Sequence, residues 1–463
     1  MLRLNVGTFK RLLAAGQGNG LRAQLLRGGA GVGMLKLLSL PLTLLATILL
    51  ARGLGPEGFG HYAFIIALLT TLSIPAGPAL MQLTTRETAR LKHDGEADRI
   101  GPLLRWSHRN VLIASALGVA VIGGFALWQA QWRVDDRWSL LLLGLLVMPL
   151  LGLNAVRSGI LAGLRRVVMG QFPDLFVRPF VLLSAVGVLL LVGSLNPATA
   201  VAAFISGAGV AFLVGVILLR RAFQHEAVAL RKPAHTREEN RQWMRAWMPF
   251  TLLVAASTLN AQIGILLLGW MSTADQVAAM QVAERGAMLV TLSLAVVNLV
   301  IGPHITQVHR SGDRARLQAL SRYSARLALL VALPIALPLL LAGGPILGLV
   351  FGEQYRDLAT WPLVVLVLGQ LANVTFGSVG MLLTMSGFEG DTLRGQTFAL
   401  LINLALAALL IPFLGAVGAA IGAAVGLMVW NVVLAFMVVN RLDIRPGAFW
   451  ITLSSRDNLN APK

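Results

Sequence analysis

Apolar runs, each about as long as a lipid bilayer is thick, recur along this chain. A helix needs about 20 mostly apolar residues to cross roughly 30 Å of hydrocarbon, and twelve runs reach that length. Because a helix satisfies its own backbone hydrogen bonds in lipid, the pattern predicts an all-α membrane protein. The predicted spans are 32–51, 61–83, 107–128, 138–162, 172–193, 198–219, 248–270, 276–302, 324–343, 359–385, 395–413 and 415–439.

The composition agrees with a chain that lies mostly in lipid. Of its 463 residues, 56% are hydrophobic and only 13% are charged, and the mean hydropathy is +0.75. Soluble domains carry about 25% charged residues, and a membrane interior explains the deficit because a charge at mid-bilayer is costly. The first strong apolar run begins near Met34 without a small-residue cleavage site. We therefore expect a retained first span and not a removed signal peptide.

Several kinds of chemistry have no residues to support them. The chain has no cysteine, which excludes disulfides, thiol catalysis and zinc–thiolate sites. It contains no GxxxxGK[ST] sequence, which argues against ATP hydrolysis. Neither HExxH nor a carboxylate cluster with metal-ligand spacing occurs. We expect a transporter and not an enzyme, with no cofactor; a coupling ion, H⁺ or Na⁺, stays open.

The basic residues follow the positive-inside rule. The net charge is +18, which in a soluble protein would indicate nucleic-acid binding. With the N-terminus inside and the spans alternating, the inside segments and adjoining helix ends hold 33 of the 38 Lys and Arg residues. We therefore predict a bacterial inner-membrane protein with both termini cytoplasmic and no nucleic-acid partner. The exceptions are Arg52, Arg133, Arg137 and Arg356 on the outside, and Arg285 within a span.

The chain divides into two sets of six spans. The longest internal polar segment runs from residue 220 to residue 245, and we interpret it as a partly helical cytoplasmic linker. Residues 51–62 have a weak counterpart about 218 residues later, at 269–280, which indicates a parallel repeat. The predicted organisation is an N-terminal segment 1–31, a bundle 32–219, the linker 220–245, a bundle 246–440 and a cytoplasmic tail 441–463.

An ordered set of short motifs resembles the polysaccharide-type (Wzx-like) flippases of the multidrug/oligosaccharidyl-lipid/polysaccharide exporter superfamily. Each motif alone is weak, but together they cover most of residues 30–440 in order and at the expected spacing. The motifs are Leu54–Tyr62 (LGPEGFGHY), Arg86-Glu87, Ser272–Asp275 (STAD), Ile301–Pro303 (IGP), Phe351–Tyr355 (FGEQY), Leu366–Gly387 and Gly415–Ala420 (GAVGAA).

The resemblance implies two six-helix bundles around a central cavity, as in the MATE transporters of the same superfamily, and transport by alternating access. It implies a polyprenyl-diphosphate-linked oligosaccharide as cargo, for O-antigen, capsule or exopolysaccharide synthesis. The expected partners are this lipid-linked oligosaccharide, membrane lipids, and a polymerase and chain-length regulator of the same pathway. The alternatives are a drug or cation exporter of the superfamily, a membrane glycan polymerase and a non-transporting assembly partner.

Polar residues within the eighth span are the first candidates for the cavity. Gln281, Glu284 and Asn298 fall within about 100° on a helix, and Arg285 lies about 100° from Glu284. In the functional interpretation, Arg285 attracts a diphosphate or a sugar carboxylate and Glu284 is an ion or proton site. In the alternative, these two charges neutralise partners on neighbouring helices.

Other spans offer further candidates of the same kind. Gln370 and Asn373 share a face of the tenth span, where they could bind sugar hydroxyls or form hydrogen bonds to other helices. The same two interpretations apply to Gln262 of the seventh span. Asn154 and Arg157 share a face of the fourth span, where Arg157 could receive the lipid diphosphate or anchor the helix at the surface. Asp174 and Arg178, four residues apart in the fifth span, are predicted to pair with each other.

Overall fold

The computed structural model describes residues 21–132, 136–226 and 236–448, and within these residues it is helical and contains no strand. The fold is the predicted all-α membrane protein, with two bundles around a central cavity. The helices of the first half are α1 (Leu21–Leu72), α2 (Pro78–His93), α3 (Ile100–Trp132), α4 (Asp136–Gly144), α5 (Val147–Gly163), α6 (Val167–Phe172), α7 (Arg178–Leu191) and α8 (Pro197–His225).

The second half is also built from helices within the described residues. Its helices are α9 (Arg237–Met271), α10 (Ala274–Arg310), α11 (Arg314–Leu341), α12 (Gly343–Phe351), α13 (Tyr355–Phe376), α14 (Val379–Met385), α15 (Glu389–Leu414) and α16 (Ala416–Leu442). We call the end of the molecule that holds Arg90, Arg166 and Arg441 the basic end. The other end, which holds Gly55, Ser272 and Tyr355, is the far end.

Helix α1 contains two membrane crossings joined at a sharp turn. Gly55 has non-helical backbone angles (φ 69°, ψ 176°) inside the helix, a conformation that glycine adopts at little cost. Eight residues that line the same cavity form pairs whose two members lie within one residue of the same separation from Gly55. The pairs are 50 and 59, 47 and 62, 43 and 66, and 39 and 70. Helix α1 is therefore a hairpin with its turn at the far end.

This hairpin accounts for the number of crossings. Among the described residues, eleven helical segments are long and apolar enough to cross a membrane, and the first, Gly31–Leu72, is 42 residues long. At about 1.5 Å per residue, 42 residues exceed a single crossing of roughly 30 Å. Counted as two crossings, the hairpin brings the total to the predicted twelve.

Helices extend from both sides into the segment between the halves. Helix α8 continues to His225, and α9 begins at Arg237 behind a capping box in which Thr236 and Glu239 bond each other's backbone amides. The side chain of Trp247 donates to the Pro75 carbonyl at 2.9 Å, so the first turns of α9 pack on the first half. The remaining linker residues 227–235, residues 1–20 and the tail beyond 448 lie outside the described residues, and the predicted domain boundaries stay predictions.

Candidate functional site

A cavity of about 320 Å³ lies between the two halves. Its first wall is the α1 hairpin, its second is the start of α7 with Phe204 of α8, and its third is formed by α9 and α10 of the second half. Because both halves line this cavity, any movement of one half against the other changes its shape.

A π-helical turn places two charges in the second wall. The segment Pro173–Val177 between α6 and α7 forms one turn of π-helix, a local irregularity that is frequent at functional sites. Asp174 precedes the turn's end and Arg178 follows it, and both line the cavity. The guanidinium of Arg178 lies 3.7 Å from the Asp174 carboxylate, so the predicted pair exists, but it faces the cavity.

The second half supplies the third charge of the cavity wall. Arg285 and Gln281, one turn apart on α10, line the cavity together with Gln262 of α9. With its amide oriented to accept, the Gln281 oxygen receives hydrogen bonds from Arg285 Nε at 3.3 Å and Nη2 at 3.0 Å. The ring of Tyr62 lies within electrostatic range of both Arg285 and Arg178. The charged lining residues thus carry a net charge of +1, with one cation from each half.

Hydroxyl groups line the α1 hairpin. Ser39, Thr43 and Thr47 follow one another at intervals of four residues in the first crossing, and Thr70 faces them from the second. The hydroxyl of Thr43 donates to the Ser39 carbonyl and that of Thr47 to the Thr43 carbonyl, both at 2.8 Å. Thr70 donates to the Ile66 carbonyl at 2.8 Å. The hairpin therefore gives the cavity a polar but uncharged wall.

The cavity is sealed at the far end by contacts between the halves. Arg52 donates to the carbonyls of Leu349 and Val350, which end α12, and the bond to Val350 is 2.9 Å long. The Tyr355 hydroxyl donates to the Ala51 carbonyl at 3.1 Å. These contacts join Ala51 and Arg52, which precede the LGPEGFGHY motif, to the end of α12 and to Tyr355 of the FGEQY motif about 300 residues later. The chain segments around the two motifs therefore meet at the far end.

Two of the predicted cavity residues lie elsewhere. Arg157 is only 4% exposed; its guanidinium stacks 3.6 Å from the Phe212 ring centre and donates to the Phe212 carbonyl at 3.1 Å. Asn154 donates to the Ala208 carbonyl at 3.3 Å and accepts from Arg157 at 3.3 Å. Both side chains thus join α5 to α8 inside the first half, and in this conformation neither lines the cavity.

The remaining candidates also lie outside the cavity lining. Glu284 neighbours Arg285 but does not line the cavity. Asn298 accepts a hydrogen bond from the Ser378 hydroxyl at the break between α13 and α14. Gln370 accepts from Asn373, three residues later on the same helix, at 3.4 Å.

The Asn373 oxygen in turn accepts from Asn431 of α16 at 2.9 Å, inside the second half. No group of three or more His, Asp or Glu side chains within the described ranges is arranged to hold a metal ion.

The spacing of Asp174 and Arg178 predicts their pair but not its position at the cavity, and the hydroxyls of the first crossing are not among the predicted site residues. Arg178 lies 12 residues beyond Arg166 and therefore about 18 Å along a helix, which sets it apart from the basic residues before α6. The spacing of four between Ser39, Thr43 and Thr47 in an otherwise apolar segment was a usable signal for a polar helix face.

Comparisons with known proteins point in one direction. A family model described as polysaccharide biosynthesis protein matches residues 25–309. The probable low-salt glycan biosynthesis flippase Agl15 of Haloferax volcanii is 23% identical over 194 residues. That stretch covers 41% of this chain and 41% of Agl15, so the chain spans about two-fifths of the length of the curated relative it matches.

Solved structures share the fold at low identity. An inward-facing multidrug resistance MATE family transporter superposes with a TM-score of 0.72 at 15% identity, over 93% of this chain and 97% of that one. The lipid II flippase MurJ, in an inward closed conformation, gives 0.71 at 13% identity, over 88% and 87%. A transporter of the same superfamily from Pyrococcus furiosus gives 0.61 at 16% identity, over 93% and 98%.

Proposed function

Since this chain belongs to the polysaccharide biosynthesis protein family, a polysaccharide-type branch of the multidrug/oligosaccharidyl-lipid/polysaccharide exporter superfamily, we propose that it is a flippase for a polyprenyl-diphosphate-linked oligosaccharide. The cargo serves cell-surface polysaccharide synthesis. The observation that carries the proposal is the cavity between the halves, which Arg178 lines from the first half and Arg285 from the second.

The charges of the cavity fit an anionic head group. A guanidinium binds phosphate oxygens through two parallel hydrogen bonds, and two guanidiniums on separate halves can hold one diphosphate between them. Asp174 already faces Arg178 at 3.7 Å, so a diphosphate would replace that contact. Gln262 and Gln281 offer amide groups to the sugars. The polyprenyl chain stays in lipid, so its apolar surface does not have to enter water.

The closed far end supports an orientation and a cycle. We propose that the basic end faces the cytoplasm of a bacterial cell, as the positive-inside rule requires, and that both termini lie on that side. In this conformation the cargo enters from the cytoplasmic side. Opening the contacts of Arg52 and Tyr355 and closing the basic end would release it outside, which is alternating access.

A cation exporter would need a different lining. Binding a cationic drug requires acidic groups, whereas Asp174 is the sole carboxylate among the residues that line this cavity, and it faces Arg178. The cavity therefore favours an anionic cargo over the alternative of a drug exporter. Polymerase and chain-length regulator remain proposed partners of the same pathway. Cargo contacts of Glu284, Arg157, Asn154, Asn298, Gln370 and Asn373 stay predictions for other conformations.

The test is the separate substitution Arg178→Ala and Arg285→Ala in cells that lack their own copy of the gene. Each removes charge-assisted hydrogen bonds worth about 1.5–3 kcal/mol, so we expect export to fall by about 10–100-fold. Surface glycan is measured at matched protein levels. Arg356→Ala is the control, because Arg356 pairs with Glu353 outside the cavity. Full export by both cavity variants would overturn the proposal; loss of drug resistance instead of glycan would favour the exporter.

A further inference from the structure

Residues 443–448, which we call the return segment, follow α16 and fold back onto the second half at the basic end. Asp443 has a left-handed backbone (φ 53°), which ends α16. Ile444 and Ala448 are 1% and 0% exposed, and both belong to the hydrophobic cluster that holds the core of the second half. The return segment is therefore packed as part of the bundle, although it lies beyond the last membrane crossing.

The return segment lies along α11. The side chain of Gln318 donates to the Arg445 carbonyl and accepts from the Arg445 amide. The Nε of Arg326 donates to the Ala448 carbonyl at 3.1 Å. The eight residues from Gln318 to Arg326 cover about 12 Å of helix, and the three residues from Arg445 to Ala448 cover about 10 Å when extended. The segment therefore runs nearly extended beside α11, from the basic end inward.

The return segment also bonds a carbonyl that a break in α13 leaves free. Gly377 has a positive φ of 73° and separates α13 from the seven-residue α14. In a continuous helix, the Thr375 carbonyl accepts from the amide four residues later, that of Val379. Here the Val379 amide donates to the Gly377 carbonyl at 3.0 Å. The Thr375 carbonyl accepts from the Ala448 amide at 2.9 Å. The amide of the return segment thus replaces the helical donor that the break removes.

The break contacts the helix that carries the cavity arginine of the second half. The Ser378 hydroxyl, next to Gly377, donates to Asn298 of α10. A Cβ atom at Gly377 would lie 2.8 Å from that of Ala325 in α11. Arg285 lies on α10 as well, about 20 Å along the helix from Asn298. Closing the break would therefore move α14 against both α10 and α11.

We propose that the return segment is a conformational clamp. While it is bound, α13 and α14 stay broken at Gly377 and the basic end stays open; when it leaves, the two helices join into one and the far end opens. The bound segment and the sealed far end occur together in this conformation. This inference rests on the alternating access of the proposed function, but not on its cargo.

Two variants release the clamp by different means. Gly447 has a φ of 102°, and its Cβ would lie 3.2 Å from the Thr375 carbonyl oxygen, so Gly447→Ala strains the backbone and crowds the contact. Gln318→Ala removes two hydrogen bonds to the segment without backbone strain.

Each variant has a matched control. Gly312, in the turn before α11, also has a positive φ (72°), but no atom lies within 4 Å of its added Cβ. Gly312→Ala therefore measures the effect of backbone strain alone. Gln242 is exposed, and its side chain bonds Glu238 of the same helix. Gln242→Ala therefore measures the loss of a glutamine away from the return segment.

The experiment uses the full chain, which contains no cysteine, in membrane vesicles with one cysteine added at a time. Ile444→Cys reports release of the return segment, because Ile444 is buried when the segment is bound. Leu50→Cys, in the cavity lining, reports opening of the far end. A maleimide that cannot cross the membrane is added on the basic side for the first and on the far side for the second.

We expect Gly447→Ala and Gln318→Ala to raise both labelling rates at least about threefold, at matched protein levels. Gly312→Ala and Gln242→Ala should stay within about 1.5-fold of the background that carries the cysteine alone. A rise of both rates in either release variant supports the clamp.

Three results would overturn it. If neither release variant labels faster at Ile444→Cys, these contacts do not hold the segment. If Ile444→Cys labels faster while Leu50→Cys does not, release leaves the far end closed. If the controls label as fast as the release variants, the effect is not specific to the segment. The measurement involves no cargo, so the proposed function is judged separately by glycan export in Arg178→Ala and Arg285→Ala.

Discussion

Each half of this molecule has, at the basic end, a buried carboxylate that binds two arginines. In the first half, the buried carboxylate of Glu87 binds Arg86 at 2.7 Å and Arg90 at 2.9 Å. In the second, the carboxylate of Asp391 binds Arg441 at 2.9 Å and Arg394 at 3.6 Å. One arginine of each set also lies over an aromatic ring, Arg86 on Phe250 and Arg441 on Phe388, at 5.1 and 5.4 Å.

The halves differ where they face the cavity. The first half presents a carboxylate, a guanidinium and the hydroxyl groups of α1, whereas the second presents Arg285 and two amides. Inside the second half the amides of Asn373 and Asn431 bond each other at 2.9 Å, while the first half buries Arg157. The features that would select a cargo therefore lie in the residues at which the halves differ.

The largest expected effect comes from the surface on which the halves meet. A Cβ atom at Gly60 would lie 1.9 Å from the Ala274 carbonyl oxygen, which belongs to the backbone of the other half. Gly60→Ala therefore forces the far end apart. Overpacking of this kind costs about 1–3 kcal/mol, which corresponds to a population shift of about 5–150-fold toward the open state.

The absence of cysteine from the sequence makes this measurable. Leu50, 2% exposed, lines the cavity near the far end, so Leu50→Cys reports on access for a maleimide that cannot cross the membrane. Labelling from outside should accelerate at least about fivefold in the Gly60→Ala background. Gly124→Ala is the control, because no atom lies within 4 Å of its added Cβ. Equal labelling rates in all backgrounds would contradict the far-end seal.

Much of the frame was predictable because it rests on local chemistry. Twelve crossings follow from the length of apolar runs, and Gly55 shows in the sequence as part of a Gly-Pro-rich turn. Arg285, Gln281 and Gln262 were predicted for the cavity wall from their position in apolar spans, and the structure places all three there. These inferences need only the position of a polar residue along one helix.

The rest depends on how helices rotate against each other, which one sequence does not encode locally. Arg157 points at α8 and not at the cavity because Phe212 and its carbonyl are there to receive it. Arg178 faces the cavity after a π-helical turn, which changes the helical phase that a regular period of 3.6 residues assumes. Each outcome depends on a partner helix more than 25 residues away or on an irregular turn.

A prediction of medium size compares how much the two carboxylate–arginine clusters at the basic end contribute to the free energy of unfolding. Glu87 accepts two hydrogen bonds from Arg86, at 2.7 and 3.0 Å, and forms an ion pair with Arg90 at 2.9 Å. Asp391 has one arginine partner at 2.9 Å and another at 3.6 Å. We expect Glu87→Gln to lower the free energy of unfolding by about 1–2 kcal/mol and Asp391→Asn by about half of that. Thermal unfolding in detergent measures both, with the exposed Glu353→Gln as control. A larger loss for Asp391→Asn would reverse the comparison.

The smallest effect concerns the carboxylate that follows the last helix of each half. Glu226, 25% exposed, binds Lys92 at 2.7 Å and Arg166 at 3.8 Å, while Asp443 and its partner Arg314 are 78% and 70% exposed at 3.0 Å. Because water screens the exposed second pair, that pair contributes almost nothing to stability. Glu226→Gln should therefore lower the free energy of unfolding by about 0.5–1 kcal/mol, and Asp443→Asn by about 0.3 kcal/mol or less. Asp443 also has a left-handed backbone (φ 53°), which asparagine adopts readily. Equal losses of melting temperature in the two variants would show that exposure does not set the strength of these pairs.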